Sequence, residues 1–441
     1  MNARKFVLLF SLFQVAFMAS HVLFMGATGR GIAYLFTVPG YMALPVLGLA
    51  AFLYARADRG SGISRGWRHR LLLFAFVLGL LAIAGLLKGY GVRAVADDLW
   101  IYLYFLLFVI LGRYDEVWRD LEKPLILFFW LLFALTIWGL FLPRPLVNEY
   151  GELVFVDIAQ DRPTINTAGY EFHRILGFWP LVFMLGCLSR LRITWRMLAV
   201  ASAFAFLVLS VAFQKRAPFV RTLLYMLPPL LILLASVQRR RFLLGFAILF
   251  CLVLGLAFTV RTSVFQQLET RYRAEASLWE SSRLVEARAM FDDLQWPEYI
   301  FGRGLGGYYT PPPDWDAGVV RISEQGDLGR RSLHIGILVP ILKGGVLFWI
   351  VTYSLYWPVL RPRRRLWYSS PLNMCAVAII PVYVASQLIE GGASMGNVFD
   401  ALLIGMVIGR LGTVVQSPSS PEKDQGSQPA EAGVVPAGWR D

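Results

Sequence analysis

A short polar segment between two apolar runs concentrates positive charge. It reads Gln214-Lys215-Arg216-Ala-Pro-Phe-Val-Arg221 and contains a helix-breaking proline. The planar guanidinium group of arginine matches phosphate geometry, so this cluster of basic groups fits an anion-binding site. It fits equally well a set of side chains that extend from a helix end into interfacial water. The segment by itself leaves both interpretations open.

The longest polar segment of the chain, roughly 262–334, is rich in arginine and ends at a histidine. Its arginines are Arg271, Arg273, Arg283, Arg288, Arg303, Arg321, Arg330 and Arg331. Several of them are expected to be solvated charges that pair with Glu275, Glu280 or Glu286 at helical spacing. His334 stands where the segment enters the next apolar run. An imidazole at that boundary suits a general base, and it equally suits a residue at a helix start.

Three further groups of charged residues are secondary candidates. Asp97 and Asp98 are expected in an outer loop, where they offer a catalytic carboxylate. Lys343 lies within an apolar run, so we expect it to face protein or water and to pair with Glu390 or Asp400. The segment Asp314-Trp315-Asp316 mimics a metal-chelating Asp-x-Asp motif, but the αβ domain that such a motif needs is absent.

Composition identifies the elements that must position these residues. The chain has 441 residues, of which 57% are hydrophobic and 16% charged, and apolar runs of about 20 residues recur, the length that crosses a bilayer. We predict an all-α polytopic membrane protein with spans at 6–26, 33–54, 71–90, 98–112, 124–142, 175–189, 197–213, 222–238, 242–261, 335–357, 371–389 and 397–412.

The basic residues predict the orientation of these spans. Arginine and lysine cluster in every second gap, around 56–70, 113–123, 190–196, 239–241 and 361–365, which marks those gaps as cytoplasmic. Both termini are then cytoplasmic, and 143–174 and 262–334 are outer loops. The first span is expected to be a retained helix. The net charge of +13 is spread over these gaps, which argues against nucleic acid as a partner.

The chain divides into a transmembrane bundle, 1–415, which includes the loop 262–334, and a polar tail, 416–441. The tail is rich in proline, glycine and serine and is expected to be disordered. Inside the loop, Leu284, Ala287, Phe291 and Leu294 form one apolar stripe of a helix. We expect Trp296-Pro297 to end this helix, and one or two amphipathic helices to lie on the membrane surface over a cavity.

Two motifs are missing from the sequence. It has neither a GxxxxGK[ST] phosphate loop nor an HExxH metal motif. No predicted cytoplasmic segment is long enough to form a nucleotide-binding domain. The energy for any reaction is therefore expected to reside in the substrate, without a cofactor or metal.

Four motifs follow one another between residues 171 and 345. They are Glu171-Phe-His-Arg174-Ile-Leu-Gly-Phe-Trp-Pro180; Gln214-Lys215-Arg216; Ser282-Arg283 with Phe301-Gly-Arg-Gly-Leu-Gly306; and Ser332-Leu-His334 with Lys343-Gly-Gly345. In this order, around the largest outer loop, they resemble the O-antigen polymerase and O-antigen ligase superfamily of bacterial envelope enzymes. Ile335 departs from the asparagine of many members. Arg283 and Arg288 both match the loop arginine, and the distance to the glycine turn favours Arg283.

The resemblance implies a GT-C-type membrane glycosyltransferase of the bacterial inner membrane. Its donor would be a glycan on undecaprenyl diphosphate, and its acceptor a sugar hydroxyl at the periplasmic face. The residues that this resemblance assigns to catalysis are His334, as general base, with Arg216 and Arg283 on the diphosphate. The expected substrate-binding residues are Arg174, Lys215, Arg221, Arg288 and Arg303, with Tyr308, Tyr309 and Trp315 stacked on sugar rings.

Polymerase and ligase differ in their acceptor, which is a second lipid-linked repeat unit or the core sugar of lipid A. We favour a polymerase, because the His–Ile pair and the long aromatic loop fit exopolysaccharide polymerases. A lipid-linked oligosaccharide flippase or transporter predicts broken helices at matching positions of two related halves, and the sequence has no such repeat. A peptidoglycan-elongating glycosyltransferase would carry its key acidic residue in an outer loop that here is dominated by arginine.

Overall fold

The computed structural model describes thirteen stretches of the chain, and they are almost entirely helical. These are residues 2–19, 42–57, 65–140, 176–188, 191–212, 216–234, 282–311, 320–321, 328–331, 333, 335–357, 370–388 and 398–414. The helices are α1 (Ala3–Ala19), α2 (Met42–Ala57), α3 (Arg65–Leu87), α4 (Val92–Gly112), α5 (Asp115–Leu140), α6 (Trp179–Leu188), α7 (Ile193–Ala212), α8 (Arg216–Leu234), α9 (Ser282–Asp293), α10 (Trp296–Phe301), α11 (Val339–Ser354), α12 (Pro371–Ser386) and α13 (Val398–Val414).

Five helices of the described stretches are long and apolar enough to cross a membrane. They are Gly66–Leu87, Val92–Gly112, Asp115–Trp138, Ile193–Ser210 and Gly336–Ser354. The expectation of an all-α membrane protein is confirmed at this level. Every predicted span contains a helix, except 242–261, which lies outside the described residues, as does the tail 416–441.

Four helices, α3, α4, α5 and α8, begin six or more residues before the apolar runs that predicted them. Helix α4 starts at Val92 and α5 at Asp115, because backbone hydrogen bonding continues through polar turns that a hydropathy pattern does not include. Acidic residues in the first turn of α5 also interact favourably with the helix dipole. Asp97 and Asp98 therefore belong to α4, and their placement in a loop was wrong.

Helices α4 and α13 pack backbone to backbone through glycines. A Cβ atom added at Gly409 would overlap the carbonyl oxygen of Val109, and one added at Gly405 would overlap the side chain of Phe108. Small residues at four-residue spacing allow this close approach and the van der Waals contacts that hold membrane helices together. An aromatic core flanks this pair, in which Phe74 lies 5.8 Å from Phe348, ring centre to ring centre.

Ion pairs and hydrogen bonds join several helix ends at one end of the bundle. The contacts are Arg4–Glu116, Lys5–Asp120, Tyr54–Asp120, Arg410–Asp115 and Arg410–Asn373. They connect the start of α1, the end of α2, the start of α5, the start of α12 and the end of α13. The helices thus alternate in direction, and these contacts lie at the end that the arginine clusters predict to be cytoplasmic.

The arginine-rich loop forms two short helices, α9 and α10. Ala287 of α9 and Leu294, just after this helix, are buried as predicted, but Leu284 is exposed, and Met290 and Glu286 are buried in its place. The pair Trp296-Pro297 does not end this helix but begins α10, since proline is favoured in a first turn. Two short strands, Val320–Arg321 and Leu328–Gly329, pair antiparallel, which the sequence pattern did not indicate.

Replacing glycine by alanine should change the stability of the protein in opposite directions at two helical glycines, because only one of them lies at the α4–α13 contact. Gly409→Ala forces a methyl group into the backbone of α4, so we expect a loss of about 1–3 kcal/mol in the free energy of unfolding. Gly79→Ala on α3 meets nothing within 4 Å and should stabilise slightly, because alanine favours helix. Thermal unfolding in phospholipid nanodiscs measures both, and equal midpoints for the two variants would contradict the close packing.

Candidate functional site

A glycine-rich turn, 302–307, lies between α3 and α11 at the other end of the bundle. Its backbone N–H groups donate to helix carbonyls: Arg303 to Leu342 (3.0 Å), Gly304 to Lys343 (2.8 Å) and Leu305 to Leu81 (3.0 Å). Gly302 and Gly304 have positive φ, which a side chain disfavours. The turn is therefore attached to the helices through its main chain.

Helix α11 is broken where the turn meets it. Gly344 and Gly345 have non-helical dihedrals, and Gly345 has a φ of 64°. A Cβ atom at Gly345 would overlap the carbonyl group of Ile300. Broken backbone in a membrane protein must find hydrogen-bond partners inside the protein. The N–H groups of Arg303 and Gly304 supply them to the carbonyls just before the break.

Lys343 pairs with Asp98 and not with the partners expected from sequence. Its ammonium group is buried, lies 2.6 Å from the Asp98 carboxylate and donates to the Gly307 carbonyl at 2.7 Å. The carboxylate also accepts the Gly306 N–H at 2.6 Å. Of the expected partners, Asp400 pairs with Arg221 instead, and Glu390 lies outside the described residues. The Asp98–Lys343 pair joins α4, α11 and the turn.

Arg303, a predicted substrate ligand, is occupied within its own loop. Its guanidinium donates to Asp293 (2.7 Å), Glu298 (3.0 Å) and the Tyr308 carbonyl (2.7 Å). Burial alone would raise the pKa of Glu298, but hydrogen bonds from the Gln295 backbone and from Arg303 lower it below its ordinary value. The carboxylate stays ionised, and Arg303 holds α9, α10 and the turn together.

A buried carboxylate connects α9 to the chain that leads into α11. Glu286 accepts a hydrogen bond of 2.6 Å from the Tyr309 hydroxyl and lies 3.3 Å from Arg330. Its side chain has no exposed surface. Burial and the Glu286 carboxylate raise the pKa of Tyr309, so the phenol remains a hydrogen-bond donor. The predicted stacking role of Tyr309 is untested, and its ring is buried in this network.

An apolar cluster reinforces the same connection. Met290 and Leu294 of α9 pack with Tyr309, Leu333 and Val339. Leu333 and Ile335, the neighbours of His334 in the chain, are both described. Leu333 and Val339 therefore pack against α9, the helix that carries Arg283.

The remaining predicted site residues fall into two groups. Arg221 pairs with Asp400 and lies over the Tyr225 ring; Arg288 is exposed beside Asp292; and Tyr308 packs edge-on against Tyr90. Arg216 and Arg283 lie in the first turns of α8 and α9, and their side chains are outside the described set, as are the whole residues Arg174, Lys215, Trp315 and His334. The roles assigned to all of these residues stay predictions.

No protein-family model and no curated protein matches this chain. Among the described residues, no group of three or more histidine, cysteine, aspartate or glutamate side chains could hold a metal ion. The site is therefore interpreted from its own geometry and charges.

Sequence reasoning missed Glu286 and Arg330 as a buried pair. A glutamate next to the apolar position Ala287 was the available signal, but its partner is far away in sequence. Arg331 likewise lies 3.7 Å from Asp97 and donates to the Ala94 carbonyl. These paired charges fix the loop on the bundle. Charge for a ligand would then have to come from other residues, such as those at the starts of α8 and α9.

The buried Asp98–Lys343 pair predicts strongly coupled substitutions. Asp98→Asn leaves a buried ammonium group without its counter-ion, so we expect a loss of about 3–5 kcal/mol in the free energy of unfolding. Adding Lys343→Met removes that charge, and the double variant should be more stable than Asp98→Asn alone. Unfolding measured across this double-mutant cycle tests the coupling. The control is the same cycle at the exposed pair Arg288–Asp292. There the effects of the two single substitutions on the free energy of unfolding should add up to that of the double variant.

Proposed function

We propose that this protein transfers a glycan from an undecaprenyl-diphosphate carrier to an acceptor sugar hydroxyl. The reaction takes place at the periplasmic face of the bacterial inner membrane, and its product is a surface polysaccharide. The observation that carries the proposal is the buried Glu286–Arg330 pair. Arg283 precedes Glu286 by about one helical turn, and His334 follows Arg330 by four residues. The pair therefore lies close in sequence to Arg283 and His334, two of the three residues assigned to catalysis.

In the proposed reaction the acceptor hydroxyl oxygen attacks the anomeric carbon. The bond from that carbon to the diphosphate oxygen breaks, and the carrier leaves with the bonding electrons. His334 takes the proton of the hydroxyl, and attack opposite the leaving group inverts the anomeric centre. Arg216 and Arg283 hold the charge that develops on the diphosphate, an electrostatic contribution that is often the largest in such catalysis.

The proposed topology has twelve spans with both termini in the cytoplasm. It places the glycine turn, α9 and α10 in the periplasmic loop 262–334. The ion pairs and hydrogen bonds that join α1, α2, α5, α12 and α13 at the opposite end support the alternation of helix directions that this topology requires.

The first test is glycan transfer from a synthetic undecaprenyl-diphosphate oligosaccharide by the protein in nanodiscs. We expect Arg283→Ala, Arg216→Ala and His334→Ala each to lower the rate about 100-fold or more, because each removes a group that acts on the transition state. A metal chelator should leave the rate of glycan transfer by the wild type unchanged.

The matched control is Arg288→Ala, which removes an exposed arginine from the same helix. It should change the rate less than about threefold, the effect of a surface charge. Loss of transfer in Arg288→Ala with full activity in Arg283→Ala would reverse the assignment of the loop arginine. Unaltered transfer in His334→Ala would remove the general base.

A second experiment identifies the acceptor. We propose that the protein is a polymerase, whose acceptor is a second lipid-linked repeat unit. A strain that lacks this protein should then carry single repeat units at its surface in place of long chains. Long chains retained on the carrier lipid would identify a ligase that uses the lipid A core. Glycan profiles by gel electrophoresis and mass spectrometry of the lipid fraction distinguish these results. An unchanged profile would contradict both.

A further inference from the structure

Helix α10 presents an apolar face that points away from the bundle. Four of its six residues share this face, because they stand at positions i, i+1, i+4 and i+5 of the helix: Trp296, Pro297, Ile300 and Phe301. Trp296 has 75% of its surface exposed and Phe301 has 62%, so neither ring is packed into the protein. We call these four residues the outer face of α10.

The opposite face of α10 is occupied by contacts within the loop and with α3. The Tyr299 hydroxyl donates to the Phe291 carbonyl at 2.6 Å, and the two rings stack with their centres 6.3 Å apart. Glu298 lies 3.0 Å from Arg303 and 3.5 Å from the Lys88 ammonium group. These contacts fix the rotation of α10 about its own axis. The packing of the loop therefore holds the outer face outward.

The glycine turn that follows α10 reaches below the end of α3. The Leu305 N–H donates to the carbonyl of Leu81, which precedes the last residue of α3, Leu87, by six residues. At the rise of an α-helix, this contact lies about 9 Å inside the end of a helix that is long enough to cross a membrane. A Cβ atom at Gly345 of α11 would overlap the Ile300 carbonyl. The last turn of α10 is therefore level with parts of both spans.

The two spans that contact α10 and its turn also have apolar side chains that point outward. Leu80, Ile83 and Leu87 of α3 are each at least half exposed, and Val346 and Leu347, directly after the break in α11, are nearly so. On a membrane-spanning helix, such side chains contact the acyl chains of lipid. Because α10 ends at the break, its outer face adjoins the apolar surface of α11.

We propose that the outer face of α10 is inserted into the lipid of the bilayer leaflet at this end of the bundle. Tryptophan is enriched where membrane proteins meet the lipid headgroups, and Lys88, which is partly exposed, can extend its ammonium group to the same level. Lipid fits better than a second copy of the chain, because a bilayer covers α10 and the adjoining spans with one continuous apolar phase. The proposal rests on the membrane helices and not on glycan transfer.

Insertion of α10 would also protect the broken part of α11. Irregular backbone is stable at membrane depth only where protein shields it from lipid. The backbone of α10 is itself helical, with the Gly302 N–H bonded to the Glu298 carbonyl at 2.8 Å. A helix with an apolar outer face can therefore lie against lipid, whereas the glycine turn could not.

Spin-label accessibility in phospholipid nanodiscs measures what surrounds the outer face. Single cysteines replace Trp296 or Phe301 in the full chain, in which the native cysteines at positions 187, 251 and 375 are changed to alanine. Each cysteine then carries a nitroxide. Collisions with molecular oxygen, which concentrates in hydrocarbon, report on lipid, and collisions with a nickel chelate report on water. We expect both labels to collide more often with oxygen than with the chelate.

Two further positions calibrate this ratio of oxygen to nickel collisions. Ile83→Cys labels the outward side of α3, and Arg288→Cys labels an exposed position of α9. The ratio at Trp296 and Phe301 should match that at Ile83 and exceed that at Arg288. A ratio as low as that at Arg288 would overturn the proposal, because water would then cover the outer face. Few collisions with either reagent would overturn it too, since another part of the chain or a second copy would be the cover.

A pair of substitutions in the chain with its native cysteines gives a second measurement, which does not depend on folding of the cysteine-free chain. Phe301→Gln places an amide in lipid without hydrogen-bond partners, so the thermal midpoint in nanodiscs should fall. Phe301→Leu keeps an apolar side chain and should leave the midpoint close to that of the wild type. Equal midpoints for the two variants would contradict contact with lipid.

Discussion

The end of the bundle that carries the candidate site depends on main-chain hydrogen bonds across the break in α11. A helix broken at Gly344 and Gly345 leaves carbonyl groups in surroundings with little water, which is unfavourable by several kcal/mol for each unsatisfied group. The N–H groups of Arg303 and Gly304 satisfy them. The turn and the break therefore stabilise each other, and neither conformation would be favourable without its partner. Because this contact is between backbones, it tolerates little change in glycine positions and little change in length.

Charge at this end of the bundle serves mainly to hold the loop in place. Lys343, Arg303, Arg330 and Arg331 are each within ion-pair distance of a carboxylate on a different segment. Burying a charge is unfavourable unless it is paired and hydrogen-bonded, and removing one member of such a pair is strongly destabilising. A count of arginines in the loop consequently overestimates those available to a ligand. The arginines at the starts of α8 and α9 are the ones whose assignment to the diphosphate remains open to experiment.

Hydropathy predicted the five described helices that are long and apolar enough to cross a membrane, because a run of apolar residues indicates burial in lipid. It placed the starts of α4 and α5 too late, since a helix extends through polar turns that lie outside the apolar run. The partner of Lys343 was missed because Asp98 is remote in sequence, and only the packing of α4 against the turn brings them together. On α9 the apolar stripe was only half correct. Glu286 is buried although it lies outside the predicted apolar stripe, and its contacts with Tyr309 and Arg330 make that burial possible.

A sugar linked to a lipid diphosphate presents two unlike groups, a strongly charged leaving group and a neutral ring with many hydroxyls. Basic side chains at helix starts suit the first, because the helix dipole and the guanidinium group both favour an anion there. They suit the second poorly, since a free guanidinium beside a neutral ring would be desolvated without a counter-charge. Inside the bundle, Arg221 is paired with Asp400 and so is not such a free guanidinium. The ion pairs that hold the loop, Lys343–Asp98 and Arg330–Glu286 among them, likewise leave few unpaired charges beside a neutral ring.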